Sequence, residues 1–272
     1  MSKILIQMML LAGMISSGGA YAYTIDGNLS DWGISHNGNA NDWTPNSGVS
    51  FFSVEDQSGS GAYYLNPGWG GQNYDAEAMY VAWDNSNLYI AVATGHNPNT
   101  SNTGGNYAVG DIAIDIGNNG SWDYGIELKG DAGLTQSHIY SSPSWAYGIW
   151  TNTGAYTSNP ATADHAHPTS MISGSDSGLV SLSYTTSGTS GYGINATDLH
   201  YFYEVAVPLS SFGNTFGVGS QFNIHWTMNC ANDAISVQGS RPPQNRIPEP
   251  GTLALLPLGM IGLAILRRRK SA

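Results

Sequence analysis

The stretch Met79-Tyr80-Val81-Ala82-Trp83, Asp84-Asn85-Ser86-Asn87, Leu88-Tyr89-Ile90-Ala91-Val92-Ala93 carries the strongest structural signal in the chain. Two runs of β-branched and aromatic residues flank four small polar ones, which predicts a β-hairpin. Working outward, Ile112-Ala113-Ile114-Asp115-Ile116 and Tyr124-Gly125-Ile126-Glu127-Leu128 flank a Gly/Asn turn and predict a second hairpin. Further strands are expected at Val180–Tyr184, Tyr201–Val207, Phe222–Met228 and Ala234–Val237, with one short helical turn at Pro208–Phe212. No long body segment has a helical period, and no repeat of propeller length is present. The pattern predicts an all-β chain, an antiparallel, jelly-roll-like β-sandwich. Long loops are expected over Asn37–Gln72 and Ser141–Ser177.

The two ends are of a different kind. Lys3 precedes an apolar run, Ile4 to Ile15, and then Ala20-Tyr21-Ala22. This is the layout of a secretory signal peptide with cleavage after Ala22. At the other end, Thr252–Leu266 is apolar and meets Arg267, Arg268, Arg269 and Lys270. A basic cluster beside an apolar segment stays cytoplasmic. A short transmembrane helix is therefore expected there, with the body held outside. The expected organisation is a signal peptide over 1–22, the sandwich over 23–238, a polar linker over 239–246 and the tail over 247–272.

The body from Tyr23 to Arg246 holds eighteen acids against Lys129, Arg241 and Arg246, a net charge of −15. Such a surface repels phosphate backbones, so nucleic acid is not an expected partner, and it attracts divalent cations. Cys230 is the only cysteine, which excludes an intramolecular disulfide. It has no activating basic neighbour in sequence and is expected to be a small buried residue.

Ile247-Pro248-Glu249-Pro250 directly precedes the apolar segment and its arginine cluster. Pro248, Glu249, Pro250, the apolar helix and the basic end together resemble the PEP-CTERM sorting signal of Gram-negative bacteria. The resemblance implies recognition by an exosortase, removal of the tail, and passage from a transient inner-membrane anchor to the cell surface or extracellular matrix. Signal peptidase and the secretion machinery are the other implied partners. The body has a looser resemblance. Ile25-Asp26-Gly27-Asn28-Leu29-Ser30-Asp31-Trp32, then Trp83-Asp84 with Asn87-Leu88-Tyr89, then Tyr203-Glu204-Val205-Ala206-Val207-Pro208-Leu209 are similar to landmarks of family-nine carbohydrate-binding modules and DOMON-like sandwiches.

Asp115-Ile116-Gly117-Asn118-Asn119-Gly120-Ser121-Trp122-Asp123 spaces oxygen-bearing side chains around glycines, as calcium loops do. Asp115, Asn119 and Asp123 are the candidate side-chain ligands, Ser121 a candidate carbonyl ligand, and calcium the candidate ion. The alternative is a hairpin turn that needs Asn and Gly for its backbone. Trp69, Trp145, Tyr147, Trp150 and Tyr156 lie in or near the expected loops, where exposed rings can stack on sugar faces. The alternative for each is that it covers an end of the sandwich. Asp164-His165-Ala166-His167 is a weak metal pattern. Asp111, Asp115, Asp123 and Glu127 are the carboxylates from which a hydrolytic pair would be drawn, but no hydrolase motif surrounds them.

The sequence thus leads to an exported, exosortase-processed surface or matrix protein, non-catalytic, binding extracellular polysaccharide with calcium as a structural aid. A purely structural matrix protein and a secreted glycan hydrolase are the alternatives.

Overall fold

A computed structural model describes residues 23–56, 71–101, 103, 107–146 and 167–243. They fall within one unit, Tyr23–Asn245. The signal peptide and the tail, including Ala20, Ala22, Pro248, Glu249, Pro250 and Arg267–Arg269, lie outside the described residues. Among the described residues no helix is long and apolar enough to cross a membrane.

The chain is all-β. Its strands are β1 (Phe51–Val54), β2 (Ala76–Trp83), β3 (Asn87–Thr94), β4 (Ile112–Ile116), β5 (Tyr124–Ile126), β6 (His138–Ala146), β7 (Ser170–Leu179), β8 (Ser181–Tyr184), β9 (Tyr201–Pro208), β10 (Gln221–Thr227) and β11 (Ala234–Ser240). They form two antiparallel sheets, ordered β1-β2-β3-β9-β8 and β11-β10-β4-β5-β6-β7. Both expected hairpins are present. The first closes with Asp84 Oδ1 accepting the amides of Ser86 and Asn87, both at 2.7 Å. A 3-10 turn occupies Leu209–Phe212, where one helical turn was expected.

Inward-facing residues of the two sheets meet in one core. Met79, Val81, Leu88, Ile90, Val92, Tyr203, Val205 and Val207 come from the first sheet, and Ile112, Ile114, Ile126, Ile139, Phe222, Ile224 and Trp226 from the second. Fully burying such side chains contributes about 1.5–3 kcal/mol each. Cys230 belongs to this core, and burial pushes its thiol up to about 12.

The first sheet is buried on its other face too. Ala78, Tyr80 and Ala82 of β2, Tyr89, Ala91 and Ala93 of β3, and Phe202 and Ala206 of β9 pack under Leu29, Trp32, Ile34, Trp43 and Tyr192. A sheet covered on both faces shows no polar alternation, which is why β2 and β3 read as nearly unbroken apolar runs. The alanines leave the depth that two fully buried indoles require. Tyr80 donates its hydroxyl to the Trp43 carbonyl at 2.9 Å, fixing this cover to the strand.

One carboxylate ties the entrance of the domain to the sheet. Glu204, fully buried on β9, accepts the amides of Asp26 (3.1 Å), Gly27 (2.6 Å) and Asn28 (3.1 Å) at Oε2, and the indole Nε1–H of Trp32 (2.7 Å) at Oε1. Gly27 has φ 83°, and a Cβ there would press on the Tyr184 backbone at 3.0 Å, so glycine is required. The first and last of the three sequence landmarks are therefore two halves of one hydrogen-bonded joint.

Two expected loops are corrected. Asn37–Gln72 contains a 3-10 turn at Ala40–Trp43 and the edge strand β1. Ser141–Ser177 contains the end of β6 and most of β7, with 147–166 lying outside the described residues. Strand β7 is a sheet edge, so Ser173–Asp176 stay exposed, and the alternation that marks a half-buried strand is missing. At the far end, β11 runs to Ser240, into the segment expected as linker, and the Arg241 guanidinium donates to the Phe216 carbonyl.

Candidate functional site

The Asp115–Asp123 turn spends its carboxylates on its own backbone. Asp115, 1% exposed, accepts the amides of Asn119 at 3.1 Å and Gly120 at 2.7 Å. Asp123 accepts Ile116 N–H at 2.7 Å, and the Asn119 side chain accepts Ser121 N–H at 2.9 Å. Gly117 and Gly120 take positive φ, 105° and 86°, as the turn requires. These bonds are those of a hairpin closure in which side-chain oxygens satisfy loop amides. The side chains of three of the four candidate groups, Asp115, Asn119 and Asp123, accept backbone amides of their own hairpin.

Of the five candidate sugar-binding rings, Trp69, Tyr147, Trp150 and Tyr156 lie outside the described residues. Trp145 lies on β6, half-buried, against Gly125 and Met171. A Cβ on Gly125 would meet its ring at 3.0 Å, so this indole fills the space that a glycine in the neighbouring strand leaves open. His165 is outside the described residues, and His225 is buried in β10 with Nδ1 2.9 Å from Ser236 Oγ.

The four carboxylates considered as a hydrolytic pair separate into two kinds. Asp111 and Glu127 come together, joined by Asp131, with one oxygen from each residue within 4.8 Å of the others. Asp111 precedes β4 and is 2% exposed; its two oxygens accept the amides of Leu128 (2.9 Å) and Met171 (2.8 Å). Glu127 follows β5 and is 0% exposed; its Oε1 accepts the amides of Lys129 (3.2 Å), Gly130 (2.8 Å) and Asp131 (3.4 Å). Burial raises all three carboxyl groups above the ordinary range, and the charge of Glu127 adds to this at Asp111.

A second group of acids gathers where β1 ends and β2 and β11 begin. It comprises Glu55, Asp56, Asp75, Glu77 and Asp233. Asp233 accepts Ala76 N–H at 2.6 Å and Ala234 N–H at 2.8 Å; Glu77 accepts from Gln72 Nε2 at 2.6 Å and lies 3.1 Å from His200 Nε2. Among the described residues neither Asp75 oxygen meets an N–H or O–H donor, so a bond to Asp233 requires a proton on one of the pair. Burial first, then mutual repulsion, pushes Glu55 up to about 8 and Asp75 well above that. Burial is also the main cause that takes Asp233 to about 7. Glu77 sits at a register shift between β2 and β3, which lets an acid enter an otherwise apolar strand.

A pocket of about 250 Å³ opens beside this group, lined by Asn73, Tyr74, His96, Asn97, Thr100, Leu199 and Tyr201. Tyr74 packs on His96 at 5.8 Å, and His96 Nε2 lies 2.8 Å from the Tyr107 carbonyl. Burial pushes His96 down to about 4, so the imidazole is neutral at physiological pH, with its proton on Nε2 toward that carbonyl. The lining is thus uncharged, made of amides, hydroxyls, aromatic rings and one apolar lip.

In comparisons with known proteins, no family model and no curated protein matches this chain.

Sequence reasoning named Asp111 and Glu127 but missed Asp131, the Glu55–Asp233 group and the pocket. Two local signals were available. Glu127-Leu128-Lys129-Gly130-Asp131 is a turn wrapped around its own carboxylate, and Asp75-Ala76-Glu77 puts acids at the mouth of an apolar strand.

Proposed function

We propose that this chain is an exported, exosortase-processed protein of the cell surface or extracellular matrix, non-catalytic, whose sandwich binds extracellular polysaccharide. The export and sorting rest on the signal-peptide pattern and on the Pro248-Glu249-Pro250, apolar and arginine succession. Those ends make secretion machinery and exosortase its processing partners, in a Gram-negative bacterium. The binding rests on one observation, the uncharged pocket at Asn73, Tyr74, Asn97, Thr100 and Tyr201. Amides and hydroxyls match a sugar's hydroxyl pattern, and an aromatic ring matches its C–H face. A non-catalytic role is supported by the carboxylates: Asp111 and Glu127 are buried, and their oxygens accept backbone amides.

The test is a glycan array with the full-length chain and with Tyr74→Ala/Asn97→Ala. Retention of a polysaccharide that the double variant loses is expected. No retained sugar at millimolar protein overturns the binding role and leaves a structural matrix protein. Mass spectrometry of the exported product is expected to find Tyr23 at its start and the Arg267–Lys270 cluster removed.

A further inference from the structure

Other acids also bury an unpartnered oxygen, Asp75 and Glu77 among them, but among the described residues Asp111, Glu127 and Asp131 alone bring three acidic ligand atoms within 4.8 Å of one another. Glu127 Oε2 has no hydrogen-bond partner although the side chain is 0% exposed, and Asp131 Oδ1 is likewise buried without one. The other Glu127 oxygen holds three amides of the following turn, which fixes the carboxylate plane and directs it among its acidic neighbours. An unpaired carboxylate oxygen buried beside two further carboxylates is costly unless a cation or a proton joins them. Among the described residues no lysine or arginine forms an ion pair with any of the three, although the Lys129 charge favours the Asp131 carboxylate. Lys129, the one base in this turn, donates its ammonium to the Thr100 carbonyl.

Geometry favours a metal ion. Calcium holds oxygens at about 2.3–2.6 Å, so ligands on opposite sides of one ion are about 4.6–5.2 Å apart. Three carboxylate oxygens mutually within 4.8 Å fit around such an ion. Magnesium, at about 2.0–2.1 Å with strict octahedral geometry, dehydrates reluctantly and is held less readily by a site built from three carboxylates of the protein. Asp131 is only half-buried, which gives the site an open side for entry and for the water ligands that complete the shell.

We infer that Asp111, Glu127 and Asp131 form a calcium site, distinct from the Asp115–Asp123 turn and independent of whether the pocket binds a glycan. Its place explains its use. Asp111 already joins the start of β4 to Leu128 after β5 and to Met171 of β7. The ion fastens the meander β4-β5-β6-β7 at one end, in a chain that has no disulfide to do so. In the extracellular space calcium is available, and a site of this kind makes the fold conditional on export.

The experiment is calcium binding to the full-length chain after chelator treatment, by equilibrium dialysis and by thermal unfolding with calcium or magnesium. Wild type is expected to take up calcium at a single high-affinity site and to unfold at a higher temperature with calcium than with magnesium. Asp131→Asn, at a half-buried side chain that holds no amide of another residue, is expected to fold and to bind calcium at least about tenfold more weakly, since affinity follows ligand charge. Asn119→Ala, in the hairpin turn, is expected to bind as wild type does. Glu127→Gln is expected to lose binding as well, and circular dichroism distinguishes this from failure to fold. The inference is overturned if wild type binds no calcium at millimolar concentration. It is equally overturned if Asp131→Asn binds like wild type, or if Asn119→Ala removes the site.

Discussion

Replacing Glu204 by alanine removes a single acceptor that holds four donors. Three are backbone amides, of Asp26, Gly27 and Asn28, and the fourth is the indole N–H of Trp32. Each bond to a charged group is worth about 1.5–3 kcal/mol, but the four share one carboxylate and are not additive. The Gly27 amide and the Trp32 indole are buried and cannot recover their bonds from water. Leaving these two buried donors unpaired costs about 1–3 kcal/mol each, the measurement being made above the pH of about 7 to which burial raises the Glu204 carboxyl. For a domain of this size that is a fall in Tm of roughly 10 °C. Glu204→Gln has a distinct outcome. Its carbonyl can keep the three amides, but its amide group then faces the Trp32 N–H, donor against donor, so about half the loss is expected. Trp32→Phe removes that donor, and in its background the Glu204→Gln cost should shrink. The assay is denaturant unfolding of the four chains as a double-mutant cycle, with limited proteolysis at Tyr23–Trp32. If Glu204→Ala unfolds within about 1 kcal/mol of wild type, the joint is not what fixes the entrance segment and the argument fails.

Two other outcomes follow from the structure. Because burial raises Glu55 to about 8 and Asp233 to about 7 in the folded chain, the native state binds more protons than the unfolded one from about pH 4 upward. The stability from these groups is fully present below about pH 4 and is lost as pH rises through about 8, so Tm in chelator should fall over that window and Asp75→Asn should flatten the fall. A Tm that rises across the window would refute the sharing of protons in this group. Gly95→Ala places a methyl group on the Gln72 carbonyl oxygen, a backbone atom that cannot swing away. Overpacking of this sort costs about 1–3 kcal/mol, and the glycan-array signal should drop with it, because Asn73 and Asn97 of the pocket flank the two colliding residues. An unchanged chemical-denaturation midpoint for Gly95→Ala would contradict the close approach.

What the sequence determined was local. The β2–β3 and β4–β5 hairpins were legible because turn chemistry and strand composition act between neighbours, and Cys230 was legible as a buried thiol because nothing near it in the chain activates it. The edge strand β7 was not legible, since an edge that faces water needs no apolar alternation and its pairing is with β6 rather than with its own neighbours. Tertiary structure decided what each acid does. Glu204 meets Trp32 across 172 residues of chain, and Asp111, Glu127 and Asp131 meet because the antiparallel pairing of β4 with β5 brings the start of one beside the end of the other. Asp115 and Asp123, with the more suggestive spacing, accept backbone amides of their own hairpin. A carboxylate's chemistry depends on which donors surround it and how much water it keeps, and both are set by strand register and packing across the whole domain.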